Sequence, residues 1–135
     1  MLTLKLRNLS LLARCFFYFF IRGKANRNLP AGGPKKVLVV QLAKMGDMIC
    51  TTPMFKAIKD RYPDTKLFVA GDRVNQEVLS GNKDVDGYIV WNKKIEENFD
   101  IAFLTGPGPD TLARLYLASI PLIVAPTMIG WSPLV

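Results

Sequence analysis

The sequence predicts an α/β fold, a Rossmann-like parallel sheet flanked by helices. Short apolar runs alternate along the chain with segments that have helical periodicity, which is typical of βαβ units. The run Val37–Val40 has no polar residue at alternate positions. Such a run is typical of a strand buried on both faces of a parallel sheet. We therefore expect Val37–Val40 to form the central strand.

Turn and cap residues divide the chain from residue 35 onward into five strands and three helices. The predicted strands are Val37–Val40, Lys66–Ala70, Tyr88–Trp91, Ile101–Leu104 and Pro121–Ala125. The predicted helices follow Asp47 as far as Tyr62-Pro63-Asp64, cover Asn75–Leu79, and cover Thr111–Ala118 with Asp110 as the cap. A strand order 3-2-1-4-5 would make strands one and four neighbours at the switch point, where such sheets bind ligands. The loops Ala43–Asp47 and Thr105–Asp110 would then line one crevice.

The basic charge of the chain is concentrated at its N-terminus. The net charge is +7, and residues 1–36 hold eight Lys/Arg and no Asp/Glu. The remaining residues hold ten Lys/Arg and eleven Asp/Glu. Nucleic-acid-binding proteins carry their basic residues on a folded face, so this distribution argues against a nucleic-acid partner.

Residues 1–34 are predicted to be an extension and linker, and residues 35–135 the folded domain. The apolar run Leu9–Ile21 has 13 residues and contains Arg14, whereas a membrane-spanning helix needs about 20 apolar residues. Basic residues flank the aromatic run Phe16–Phe20, which favours an amphipathic helix on an anionic membrane surface. The alternatives are a helix that packs on another part of the protein and a secretory signal. Pro and Gly residues in 29–34 are typical of a linker.

The chain contains no histidine and two cysteines, Cys15 and Cys50. A catalytic Ser-His-Asp or Cys-His centre within these residues is therefore excluded, and a base must be a carboxylate, Lys, Tyr or water. Two distant cysteines form neither a disulfide framework nor a zinc site, and they fit a reducing cytoplasm. We expect no cofactor and no metal.

Asp47 is the first candidate site residue, because it follows the central strand at the junction of loop and helix. It can act as an N-cap or as a general base. Lys44 is either a solvated cation or a residue that attracts a phosphate or an acidic acceptor. Gly46 is predicted to be a turn glycine, and Thr51 and Thr52 are predicted to be hydroxyls at the helix start.

The second loop supplies Thr105, Gly106 and Gly108 as candidate binding residues, since glycines allow a ligand to approach the backbone closely. This loop lacks the G-x-G-x-x-G spacing of dinucleotide-binding proteins. Asp84 and Asp86 are predicted to belong to a turn remote from the crevice.

Three motifs resemble those of glycosyltransferase family 9, the heptosyltransferase-like enzymes. Leu42–Ile49 followed by Thr51-Thr52-Pro53 resembles the family's opening loop, which ends in Gly-Asp, and the helix after it. Gly81–Asp86 resembles its Asn-Pro-x-Val-Asp turn, with Lys83 in place of proline. The strand, glycine loop and helix of Phe99–Leu117 form a weaker third match. The resemblance covers roughly Lys36 to Trp131.

This resemblance implies the N-terminal half of a glycosyltransferase with the two-domain GT-B architecture, lacking the C-terminal donor-binding domain. The implied reaction transfers a sugar from a nucleotide-sugar donor, typically ADP-heptose, to a lipopolysaccharide-type acceptor with inversion, and Asp47 is the base. The implied location is the cytoplasmic face of the membrane. A fragment of this kind would be inactive alone. Alternatives are a small Rossmann-like nucleotide-binding module, for which Gly71-Asp72 offers the only acidic ribose ligand, and a non-catalytic membrane-docking domain.

We predict that residues 1–28 bind anionic vesicles without spanning them, because six basic residues flank a short aromatic run. Vesicle sedimentation at low and high salt should show binding that weakens as salt rises. Deletion of these residues should abolish binding and leave the fold intact. Retention that resists both salt and carbonate would indicate a transmembrane anchor instead, and an unfolded deletion product would indicate a packed helix.

Overall fold

The computed structural model describes residues 29–92, 95–106 and 108–126. The described part contains one five-stranded, all-parallel sheet in the order β3-β2-β1-β4-β5. The predicted fold class and the predicted central position of the first strand are both confirmed, and the order is the one that makes strands one and four neighbours. The predicted N-terminal helix lies outside the described residues. Among those described, no helix combines the length and apolar character needed to cross a membrane.

The elements alternate as the sequence predicts, with boundaries that differ by at most three residues. The strands are β1 (Lys36–Val40), β2 (Lys66–Gly71), β3 (Gly87–Val90), β4 (Ile101–Leu104) and β5 (Leu122–Val124). The helices are α1 (Met45–Arg61), α2 (Arg73–Val78) and α3 (Pro109–Leu117). Helix α1 therefore begins three residues earlier than predicted, and α2 and α3 each begin two residues earlier.

Strand β1 is central because its side chains can be buried on both faces. The four residues Val37–Val40 are at most 1% exposed. The strand pairs in parallel with β2 on one edge and β4 on the other, so that Val39 aligns with Val69 and with Phe103. A β-branched apolar run suits this position, since neither face needs a polar side chain.

Alternate residues of β1 contribute to two separate cores, one on each face of the sheet. Val37 and Val39 pack with Met48 and Phe55 of α1. On the opposite face, Leu38 and Val40 belong to a core with residues of α3, among them Leu112, Ala113, Leu115 and Tyr116. Helices on both faces therefore fix the carboxyl ends of the strands, where the candidate site lies.

Two carboxylates hold the amino-terminal edge of the sheet. The Asp100 carboxylate accepts hydrogen bonds from the backbone N–H groups of Lys35 (2.7 Å) and Lys36 (2.9 Å). The Asp86 carboxylate accepts one from the Leu67 N–H (2.8 Å) and forms an ion pair with Lys59. Burial alone would raise the pKa of Asp86, but these two partners hold it below its usual value. Asp86 thus has a structural role at the start of β2 and β3.

We predict that Asp86→Asn lowers the free energy of unfolding by about 1–2 kcal/mol at pH 7, because it removes a charged partner from Lys59 and Leu67. The lowered pKa means that this contribution is present above about pH 4 and is lost as the pH falls further. Urea unfolding at pH 7 and pH 3 measures both effects.

The matched control is Asp60→Asn, which removes an exposed ion pair with Lys56. That change should cost no more than about 0.5 kcal/mol. Equal losses in the two variants, or an Asp86→Asn deficit that is as large at pH 3 as at pH 7, would contradict the assigned role of Asp86.

Candidate functional site

A cavity of about 220 Å³ lies at the carboxyl ends of β1 and β4. It is lined by Gln41, Leu42 and Ala43 after β1, by Leu104 and Gly106 at the end of β4, and by Thr111 of α3. This is the switch point of the strand order, where ligands bind in sheets of this type. The two loops that the sequence assigned to one crevice therefore meet there.

Thr105 joins the ends of β4 and β1. Its backbone N–H and its hydroxyl both donate to the Val40 carbonyl oxygen, at 3.1 and 3.0 Å. The hydroxyl proton is therefore used within the fold, while the lone pairs of its oxygen could still accept a hydrogen bond. The predicted binding role of Thr105 stays a prediction.

The two glycines of the second loop differ in what the fold requires of them. Gly106 lines the cavity, and a Cβ added there would have no atom within 4 Å. Gly108 is the N-cap of α3, and a Cβ there would lie 3.1 Å from the Thr111 hydroxyl oxygen. Packing thus favours glycine at 108, whereas position 106 leaves open space beside the cavity. Asp110 lies in the first turn of α3, so its predicted role as the N-cap is wrong.

The first turn of α1 carries Gly46 and Asp47, with Lys44 as its N-cap. The N-cap alternative for Asp47 is therefore wrong, and so is the prediction that Gly46 occupies a turn. Gly46 has no positive φ, and a Cβ there would have no atom within 4 Å. Neither backbone conformation nor packing requires glycine at this position.

Asp47 and Lys44 are both exposed at this turn. Within the described part of the chain, no hydrogen bond or ion pair engages the Asp47 carboxylate or the Lys44 ammonium. Asp86 and Asp100 are held by several donors, whereas the Asp47 carboxylate faces solvent beside the loop that lines the cavity. Such a group can accept a proton or a hydrogen bond from a ligand.

Two buried side chains that the sequence did not single out, Gln41 and Asn75, hold this loop, and Thr51 takes part through Gln41. The buried Gln41 side chain accepts from the Ala43 N–H (3.0 Å) and donates to the Thr51 hydroxyl (3.1 Å). The buried Asn75 side chain donates to the Ala43 carbonyl oxygen (2.8 Å). The one signal available for Gln41 is its place as the first polar residue after a buried strand.

Thr51 and Thr52 lie in the second turn of α1, so their predicted place at the helix start is wrong. The Thr51 hydroxyl donates to the Asp47 carbonyl oxygen (2.7 Å). The Thr52 hydroxyl donates to the Ile49 carbonyl oxygen (2.8 Å). Pro53 has no N–H for that carbonyl, so Thr52 supplies the hydrogen bond that the proline removes.

Asp72 has a structural role at the end of β2. Its carboxylate accepts from the Asn75 N–H (3.2 Å) and caps α2, and its carbonyl oxygen accepts from the Tyr88 hydroxyl (2.6 Å). Burial raises the pKa of Tyr88 to about 12, and the charge of Asp72 contributes. The acidic residue at the end of β2, which the sequence offers as a dinucleotide ribose ligand, is thus engaged by the fold. Within residues 29–92, 95–106 and 108–126, no group of three or more His, Cys, Asp or Glu side chains could hold a metal ion.

No protein-family model matches this chain, and no curated protein matches it either. A solved structure, that of the glycosyl transferase family 9 protein from Veillonella parvula DSM 2008, resembles it with a TM-score of 0.66 and 20% sequence identity. The similarity covers 80% of this chain and 36% of that protein, so the chain spans about a third of its length. The two proteins share their fold over this region.

We predict that Gly46→Ala raises the free energy of unfolding by up to about 1 kcal/mol, because alanine favours the helix and meets no other atom. Thermal and urea unfolding measure the change. Gly71→Ala is the contrasting variant, since its Cβ would lie 2.9 Å from the Gln41 carbonyl oxygen and would collide with the Tyr88 hydroxyl. It should lose about 1–3 kcal/mol. A destabilised Gly46→Ala would show that the fold does require glycine there.

Proposed function

We propose that the chain is the acceptor-side half of an inverting glycosyltransferase, with Asp47 as the general base. The supporting observation is the position of Asp47 on a fold shared with a glycosyl transferase family 9 structure. Its carboxylate is exposed in the first turn of α1, directly after the loop that lines the switch-point cavity. The family-like motifs around it add to this support.

In the proposed reaction, an acceptor hydroxyl attacks the anomeric carbon of a nucleotide-sugar. The bond from that carbon to the diphosphate breaks, and the configuration inverts because attack and departure occur on opposite faces. Asp47 takes the proton of the attacking hydroxyl. A carboxylate that none of the described residues engages suits this task, since no hydrogen bond to them must be broken before it accepts the proton.

Lys44 is proposed to attract an anionic group of the acceptor or the donor. It is exposed three residues before Asp47, and none of the described side chains forms an ion pair with it. Gly46, Gly106 and Gly108 are proposed to let the ligand approach the backbone, with Thr105 beside them. For Gly46 and Gly106 the support is the open space that a side chain would fill.

The proposed donor and acceptor are those that the resemblance of the sequence motifs to glycosyltransferase family 9 implies. We propose a heptose donor, ADP-heptose, and an acceptor of the lipopolysaccharide type or a related cell-surface glycan. The donor nucleotide would bind a second domain, which agrees with the chain spanning 36% of the similar structure. We further propose a cytoplasmic protein that associates with the membrane through residues 1–28.

We predict that Asp47→Asn, in an active two-domain form of the protein, lowers the transfer rate by about 10²–10⁴-fold, the usual value of general-base assistance. The free energy of unfolding should change by less than about 1 kcal/mol, because the carboxylate contributes only a favourable charge at the helix N-terminus. Release of nucleoside diphosphate measures the rate, and urea unfolding measures stability.

Asp64→Asn is the matched control, because Asp64 is exposed beyond the opposite end of α1. It should leave the rate unchanged. If Asp47→Asn kept its activity within about threefold of the wild type, Asp47 would have no part in the mechanism, and Asp110→Asn would be the next variant to measure.

A further inference from the structure

Buried polar side chains concentrate around the loop that precedes Asp47. Five polar side chains are buried within the described part of the chain, and three of them bond to this loop or to the first turn of α1. The three are Gln41, Thr51 and Asn75, which are 6%, 9% and 1% exposed. Burying polar groups costs free energy unless their hydrogen bonds are made. Their convergence on a surface loop therefore calls for a reason beyond burial of the core.

Ala43 is the residue on which two of these side chains meet. Its N–H donates to Gln41 and its carbonyl oxygen accepts from Asn75. Both backbone groups of one loop residue are thus bound by buried side chains, one from the end of β1 and one from α2. This arrangement restricts the loop as regular secondary structure would, although the loop belongs to neither a helix nor a strand.

Thr51 connects this loop to the first turn of α1. Its hydroxyl accepts from the Gln41 side chain and donates to the Asp47 carbonyl oxygen. A continuous hydrogen-bonded path therefore leads from the Ala43 N–H through Gln41 and Thr51 to the backbone of Asp47. We call Gln41, Thr51 and Asn75 the loop clamp.

Pro53 interrupts the backbone hydrogen bonding of α1 after its second turn. It has no N–H for the Ile49 carbonyl oxygen, and the Thr52 hydroxyl donates to that oxygen instead. This bond stays within the helix and does not reach the preceding loop. The first turn is attached to the rest of the fold by Met48, which is fully buried, and by the loop clamp.

We infer that the loop clamp positions the Asp47 carboxylate for proton transfer, and that Thr51 is its central positioning residue. This inference rests on the proposed role of Asp47 as base. Thr51 is not among the described residues that line the cavity. Its loss should therefore lower kcat by moving the base, while ligand affinity is retained.

The kinetic test compares three variants in an active two-domain form of the protein. Thr51→Val removes the hydroxyl and should lower kcat about 10- to 100-fold, the cost of a small misplacement of a reacting group, with KM within about twofold of the wild type. Thr51→Ser keeps the hydroxyl and should restore kcat. Thr52→Val is the control, since it removes the same kind of bond from the Ile49 carbonyl oxygen without reaching the loop. Equal losses of kcat in Thr51→Val and Thr52→Val, or no loss in Thr51→Val, would overturn the inference.

A second measurement needs no activity. Amide hydrogen exchange of the full chain should become at least about tenfold faster at Ala43 in Thr51→Val and stay unchanged in Thr52→Val and Thr51→Ser. Unchanged exchange at Ala43 in Thr51→Val would show that Thr51 does not hold the loop, and would overturn the clamp. If exchange accelerates but Asp47→Asn retains full activity, the clamp stands and the proposed base is refuted, so the two failures are distinguishable.

Discussion

The complete enclosure of β1 is the constraint on which the rest of the structure depends. The strand is hydrogen-bonded on both edges and covered on both faces. Each of the residues Val37–Val40 is therefore at most 1% exposed to solvent. The residues that follow the carboxyl end of β1 therefore lie in the middle of the sheet, between the carboxyl ends of β2 and β4. The candidate site lies there because β1 lies at the centre.

The carboxylates at the amino-terminal ends of the strands differ in their contacts from those at the carboxyl-terminal ends. At the amino-terminal edge, Asp86 and Asp100 each accept several hydrogen bonds and fix the starts of the strands. At the carboxyl-terminal edge, Asp72 is used as a cap, whereas Asp47 has no partner among the described residues. A carboxylate held by the fold contributes stability, and a carboxylate left exposed by a rigid surrounding can contribute chemistry.

The sequence predicts the fold well because the fold depends on apolar periodicity. The run Val37–Val40 and the alternation of strands and helices predict the class and the central strand, and the meeting of the two loops follows once the strand order is known. The first residues of the helices were not predicted correctly from the sequence. Local pattern favours Asp47 and Asp110 as caps, yet the N-caps are Lys44 for α1 and Gly108 for α3, neither of which caps its helix through a side-chain hydrogen bond. Side-chain chemistry therefore does not mark where these two helices begin.

The loop clamp could not be read from the sequence at all. Gln41, Thr51 and Asn75 are far apart along the chain and have no common spacing, and each alone is an ordinary polar residue. Their relation exists only once β1, α1 and α2 are packed, because Gln41 follows β1, Thr51 lies in α1 and Asn75 lies in α2. The apolar run of β1 allows the position of the candidate site to be predicted, because the site follows the carboxyl end of that strand. The contacts proposed to position the Asp47 carboxylate are hydrogen bonds between buried polar side chains and the backbone, and these belong to the tertiary structure.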